Sequence, residues 1–363
     1  MPTIDYENLA KLNAPFFDEY RHAFNDVLQG GWYILGKSVA GFEQQYAAFC
    51  QSPHCVGVAN GLDALVLSLR ALGLPPGGEV LVPSNTYIAT ILSVLHNGLK
   101  PVLVEPDINT YNIDPLCIED KIGPHTKAIL VVHLYGKLCD MEAITAIAHR
   151  HGLAVIEDCA QAHGASFNNQ KAGSWGHAAA HSFYPTKNLG ALADAGAITC
   201  REAALKEKLL VLRNYGSRQK YYNEVIGFNS RLDEMQAAFL LVKLKYLDAI
   251  TAHKRKLAAL YLAGLKEDFI KPVTDPRYHD VYHIFNVRHP RRDQLKEWLA
   301  QNGIKTEIHY PIPPREQPAM KGILDQQPAP IAAKIHQTTL SLPISYFHTE
   351  SDIREVVETM NKF

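Results

Sequence analysis

A single lysine, Lys187, stands in the run SFYPTKNLGALADAGAITC (182–200), at the mouth of a strand-like stretch, HSFY (181–184). Other reactive groups sit after strand-like stretches too, and open parallel sheets bind their ligands at such carboxyl ends. Asp158 follows AVIE (154–157), and Tyr87 lies in SNTYIAT after EVLVP (79–83). Asn60-Gly61-Leu62-Asp63 follows CVGVA (55–59) and opens a helix, where free N–H groups and the helix dipole suit a phosphate. Pyridoxal 5′-phosphate asks for such a set: an amine for a Schiff base, a carboxylate against the pyridine nitrogen, a phosphate anchor and a flat face. Lys187, Asp158, the Gly61-Leu62-Asp63 turn with Ser182, and Tyr87 fill these roles in that order. Each residue alone has a plainer reading, since strand-end lysines are mostly surface charges and strand-end aspartates mostly turn formers. Their order and placement together are what point to one cofactor.

Those groups need a scaffold that brings strand ends together. From about Pro53 to Cys200 strand and helix patterns alternate. In LDALVLSLRALG the residues Leu62, Leu65, Val66, Leu69 and Leu72 share a helical face, and Gly73 is placed to end it. A helix is expected from about Thr86 to His96. PVLVE (101–105), AILVVHL (128–134) and AVIE are further strands, with the helix DMEAITAIAHRHG between the last two. This alternation implies an α/β fold with a mostly parallel central sheet covered on both faces. Beyond Cys200 the texture changes. RLDEMQAAFLLVKLKYLDAITAHKRKLAALYLAGL reads as one or two long helices, and a smaller α+β segment with strands near 281–288 and a Pro-rich loop, HYPIPPREQPA, follows. The expected division is a large domain with an N-terminal arm over 1–250 and a small C-terminal domain over 251–363.

Bulk composition excludes several function classes. At 363 residues the chain exceeds the size at which one core keeps growing. Lysine plus arginine number 36 against 37 acids, with no concentrated basic run, so nucleic acid is not an expected partner. The apolar runs are far shorter than the roughly 20 residues a membrane span needs. Six cysteines are scattered without C-x-x-C pairs, and the start of the chain has no apolar signal core, so reduced thiols and a cytoplasmic location are expected. The 17 histidines include no H-E-x-x-H spacing, and no catalytic metal is expected.

IEDCAQAHGA, SFYPTKNLGA, RNYGS, GFNSRLDEMQAA and HYPIPPREQPA together resemble the sugar aminotransferase family named after DegT, DnrJ, EryC1 and StrS, within the fold-type I pyridoxal phosphate enzymes. The likeness runs from GWYILGKSVAGFEQQYA (31–47) to the last strand. It implies the aspartate aminotransferase-like fold, with Lys187 forming the Schiff base and moving the proton between the donor Cα and the cofactor. It implies Asp158 against the ring nitrogen, Gln161 at the ring hydroxyl, and Ser182 with the Gly61-Leu62-Asp63 backbone at the phosphate. Asn229 of GFNSR corresponds to a residue that reaches the phosphate from a neighbouring subunit, which implies a homodimer with shared active sites. Two departures stand out. The family usually shows Gly-Asp-Gly-Gly where this chain has Ala193-Asp194-Ala195-Gly196, and alanine takes positive φ only at a cost, so a tighter or differently shaped turn is expected. Arg315 stands where a histidine is common, either exposed or reaching a nucleotide diphosphate.

Because Lys187 is present, the resemblance implies amination rather than the dehydratase branch, in which histidine replaces that lysine. GWYILG and SFYPTKNLGA resemble the branch that aminates C3 of dTDP-linked 3-keto-6-deoxyhexoses, as in the deoxyamino sugars of lipopolysaccharide O-antigens, with L-glutamate as amino donor. Amination at C4 of a nucleotide-linked 4-keto-6-deoxysugar and a non-catalytic cofactor-binding regulator are the alternatives. Tyr33, Tyr184, His309 and Tyr310 are the candidates for contact with the nucleotide sugar or the donor; Tyr33 reads equally as a packing residue of the N-terminal arm.

Overall fold

The strand-like runs of the first 200 residues assemble into one sheet. In this computed structural model residues 3–363 are described; Met1 and Pro2, at the start of the expected large domain, lie outside them. Its strands are β1 (His54–Val58), β2 (Glu79–Pro83), β3 (Lys100–Val104), β4 (Thr126–Val132), β5 (Ala154–Asp158), β6 (Ala178–Ser182) and β7 (Gly196–Cys200). Their spatial order is β1-β7-β6-β5-β4-β2-β3. β3, β2, β4, β5 and β6 pair in parallel, while β7 runs antiparallel to both β6 and β1. The strands are apolar on both faces because both are covered. Leu130 and Ile156 face the core shared with the helix Gly61–Leu72, and Ile129, Val131 and Val155 face the core shared with the helix Met141–His151. The Asn60 side chain accepts from the Asp63 amide at the start of the first helix, and Gly73 ends it at φ 66°.

The register decides where chemistry can sit. Asp158, the last residue of β5, lies level with Val132 and Ala180. Ser182 closes β6 opposite Gly196, and Gly196 also lies opposite Val58, the last residue of β1. The ends of β1, β5 and β6 therefore meet at one edge. The strand expected through Tyr184 ends at Ser182: Phe183 and Tyr184 leave the sheet ahead of Pro185, whose ring cannot donate to a ladder. The helix expected from Thr86 begins at Ile88, with Tyr87 still extended as its N-cap residue.

Two helices, Glu234–Leu244 and Leu247–Gly264, occupy the expected long helical stretch. Beyond them β8 (Phe285–Arg288) pairs antiparallel with β9 (Thr339–Leu342), flanked by the helices Arg292–Gln301 and Glu350–Met360. Tyr261, Phe285, Leu295, Leu342 and Ile353 form a core of their own. Leu247 packs with the large-domain cluster and Leu257 with this one, which supports our proposed boundary at 250/251. Ile4, by contrast, packs into the C-terminal core and bridges Ile304, so the start of the chain leans on the small domain.

Candidate active site

At that sheet edge a cavity of about 580 Å³ opens, bordered by Gly61, Leu62, Tyr87, Asp158, Gln161, Ser182, Tyr184, Lys187, His309 and Tyr310. Lys187 lies in the turn after β6, its amide donating to Tyr184 O at 2.8 Å. Its Nζ is 3.5 Å from His283 Nε2. Burial lowers the amine's pKa from 10.5 to about 8, against the partial pull of Asp158 in the opposite direction. Such an amine gives up its proton near neutrality.

Asp158 is buried, and burial raises its pKa. Two donors work against that rise: Ala160 N reaches Oδ1 at 3.1 Å and Thr90 Oγ1 reaches Oδ2 at 3.0 Å. Thr90 is itself bonded to Thr86 Oγ1 at 2.7 Å, so the start of the helix Ile88–His96 orients the carboxylate. A carboxylate so placed favours a cation in the cavity.

One end of the cavity is made for an anion. Asn60 Oδ1 accepts from Asp63 N at 2.8 Å, so the Asp63 amide is spent on the cap, and Asp63 does not border the cavity. Gly61 and Leu62 do border it, and the first amides of a helix have no intrahelical partner. Ser182 lies against Gly61: a Cβ added to Gly61 would stand 2.5 Å from Ser182 Cβ. Only glycine permits this approach of helix start to strand end.

Aromatic and amide groups form the walls. The Tyr87 ring lies 5.1 Å from that of Tyr310. Gln161 accepts from Tyr135 N at 2.7 Å and donates to Tyr310 Oη at 3.0 Å, which fixes both residues. His309 pairs through Nδ1 with Ser341 Oγ at 2.9 Å, and burial lowers its pKa to about 4, so it is neutral at physiological pH. Tyr184 is half exposed at the rim.

Other expected residues lie elsewhere. Tyr33 is exposed and donates to Leu28 O at 3.3 Å, outside the cavity. Asn229 is exposed and outside it too, in a bridge with Asn214. Arg315 donates to Asp325 O at 3.1 Å. In the 191–196 turn none of Ala191, Ala193, Ala195 or Gly196 has positive φ; the alanines are accommodated without strain, and Asp194 borders the cavity. Sequence reasoning missed His283, hidden in the strand-like VYHIF, and Thr90, whose four-residue spacing from Thr86 was its only signal.

Beneath the site His133, Glu157 and Cys159 meet with metal-ligating chemistry. His133 Nδ1 accepts from Cys139 N at 3.2 Å, so its Nε2 donates to Glu157 at 3.0 Å. Glu157 also accepts from the amides of Gly173, Trp175 and Gly176. Its oxygens are spent holding the 173–176 turn and the end of β5.

The donor set fits pyridoxal 5′-phosphate: a deprotonatable amine, a buried carboxylate seeking a cation, and free amides at a helix start. Comparison with known proteins agrees. The model of the DegT/DnrJ/EryC1/StrS aminotransferase family matches residues 17–361. The chain belongs to this family. A transaminase from Aneurinibacillus thermoaerophilus, named for dTDP-3-amino-3,6-dideoxy-α-D-galactopyranose, is 53% identical over 99% of each chain. The crystal structure of S. venezuelae DesV in complex with a ketimine intermediate matches 100% of this chain and 98% of that one, at TM-score 0.97 and 44% identity. NtdA from Bacillus subtilis with bound cofactor PMP matches 100% and 86%, at TM-score 0.93 and 30% identity. The fold is thus that of these aminotransferases, the chain is an enzyme of that class, and its cofactor is pyridoxal 5′-phosphate.

Proposed function

We propose that this aminotransferase moves an amino group from L-glutamate to C3 of a dTDP-linked 3-keto-6-deoxyhexose, giving a dTDP-3-amino-3,6-dideoxyhexose and 2-oxoglutarate. The observation that carries the choice of sugar is the likeness over 99% of both chains to a relative named for a dTDP-3-amino-3,6-dideoxyhexose. Bound in the cavity, the cofactor supplies an electron sink for the donor's Cα. The chain's own groups do the rest. Lys187 Nζ is the tether and, neutral once its proton is lost, the base that takes a proton from Cα. Asp158 holds a positive charge at its end of the cavity, and the amides of Gly61 and Leu62 with Ser182 hold a dianion at the other. Tyr184, His309 and Tyr310 border the space left for the sugar and orient it.

The enzyme works, in this reading, as a homodimer, with Asn229 completing the phosphate site of the other copy. Exposed apolar side chains support it: Trp32, Tyr33 and Ile34 on the arm and Tyr221, Tyr222 and Ile226 near Asn229. The six free thiols support a reducing, cytoplasmic setting; among the described residues no helix is long and apolar enough to cross a membrane.

The test is the product. Purified enzyme with L-glutamate receives dTDP-3-keto- and dTDP-4-keto-6-deoxyglucose separately, and NMR locates the new nitrogen. Nitrogen at C3 is expected; nitrogen at C4 alone overturns the sugar assignment. Lys187→Ala must abolish both turnover and the borohydride-reducible yellow species, and a surviving yellow species overturns the lysine assignment.

A further inference from the structure

Behind the Lys187 turn two lysines are buried without a salt-bridge partner among the described residues. Lys254, on the helix Leu247–Gly264, is 5% exposed. Its Nζ donates to Asn188 Oδ1 at 2.8 Å and to His283 O at 3.2 Å. Lys243, fully buried on the preceding helix, donates to Asn13 Oδ1 at 3.3 Å and to Gly190 O at 3.4 Å. Burying an ammonium against neutral oxygens alone is costly, and a site with a purely structural task is filled more cheaply by apolar groups.

What Lys254 joins explains its presence. Asn188 is the neighbour of Lys187, and its Nδ2 donates to Val281 O at 3.0 Å. His283 is the residue whose Nε2 stands 3.5 Å from Lys187 Nζ. Its other nitrogen, Nδ1, is buried with no partner among the described residues, so apart from the long contact to Lys187 the ring is not held by side-chain bonds. One amine therefore grips both the turn that carries Lys187 and the backbone that carries its imidazole neighbour.

We propose that Lys254 is a positioning residue for Lys187: by holding Asn188 Oδ1 and the His283 carbonyl together it keeps the Lys187 amine desolvated beside His283 and ready in its neutral form. This rests on Lys187 being the amine that captures the cofactor. The titratable groups facing Lys187 are Asp158 from β5, His163 from the following loop, His283, and His309 from the Pro-rich loop; those near Lys254 are Glu7, Lys243, His283 and His348. Loosening the clamp hydrates the Lys187 amine, which raises the pH at which it loses its proton. Lys254 itself, lowered by burial to about 7, is mostly neutral where Lys187 titrates and adds little repulsion there.

The experiment follows capture of pyridoxal phosphate by apoenzyme, by absorbance, from pH 6 to 10, in wild type, Lys254→Met and Lys254→Gln. Met fills the space without a donor, whereas Gln can still donate to both oxygens. In wild type, borohydride reduction and peptide mapping must place the label on Lys187; a label elsewhere overturns the underlying reading, not this one alone. With the label on Lys187, the midpoint of capture is expected to rise by about one pH unit in Lys254→Met and by less than half as much in Lys254→Gln. An unchanged midpoint in folded Lys254→Met overturns the proposal. Should that variant fail to fold, Asn188→Ala, which removes one arm of the clamp and leaves Lys254, decides by the same rise or its absence.

Discussion

In the role proposed for Lys187, the proton on its nitrogen governs how the site is loaded. An ammonium taken out of water loses hydration that the nearby Asp158 carboxylate only partly replaces, so Lys187 titrates at about 8 rather than 10.5. Below that pH the amine carries its proton and cannot attack an aldehyde; above it the lone pair is free. At pH 6 the neutral fraction is about one hundredth. Capture of pyridoxal phosphate by apoenzyme should accordingly quicken about tenfold from pH 6 to 7, about fivefold from 7 to 8, and level off above. A rate still climbing tenfold per unit beyond pH 9 in stopped-flow absorbance would show an amine in ordinary hydration. His309 stays neutral throughout this range, since burial places its titration at about 4, and adds no second inflection.

At the level of elements, the proposed phosphate end depends on how closely the helix Gly61–Leu72 meets the end of β6. In Gly61→Ala the new Cβ meets Ser182 Cβ at 2.5 Å, and either the strand end or the helix start must move. The expected outcome is a loss of about 1–3 kcal/mol of stability together with a weaker grip on the cofactor phosphate, read by thermal melting and by titration with pyridoxal phosphate. Gly41→Ala is the contrast: its Cβ finds only Leu241 at 3.7 Å, inside the helix Lys37–Phe49, and should gain about 0.5–1 kcal/mol. This same edge explains what could be read from the chain. Asp158, Gly61 and Tyr87 announced themselves because each follows a short β-branched run, and Lys187 because it stands alone beyond HSFY. β1 and β6 both run antiparallel to β7, so their ends fall on the same side as those of the parallel strands. His283, Thr90 and Lys254 gave no comparable sign. His283 and Lys254 reach the site from the C-terminal third through tertiary packing, and Thr90 acts on Asp158 through a bond spanning 68 residues. The single long helix allowed by the periodicity divides at Lys245 and Tyr246; the second segment starts in the large-domain cluster at Leu247 and runs into the C-terminal core at Leu257, Ala258 and Tyr261.

For the whole molecule, one chain leaves two expected participants unused: Tyr33 and Asn229 stand on the surface, away from the cavity of their own copy. Trp32, Tyr221 and Ile226 are 69%, 85% and 91% exposed, an apolar burden that a second copy would cover. A homodimer at twice the chain mass of 40.4 kDa is expected in sedimentation. Its composition can be tested with co-expressed, differently tagged Lys187→Ala and Asn229→Ala chains. If Asn229 serves the opposite copy, the purified heterodimer has one site carrying both changes and one site carrying neither. It then binds pyridoxal phosphate at one site with wild-type affinity and retains about half the wild-type turnover per dimer. If Asn229 serves its own chain, one site has no lysine and the other has no asparagine. Wild-type affinity is then found at neither. A heterodimer whose sole reducible site binds as weakly as Asn229→Ala itself would remove the case for shared active sites, whatever the mass in solution.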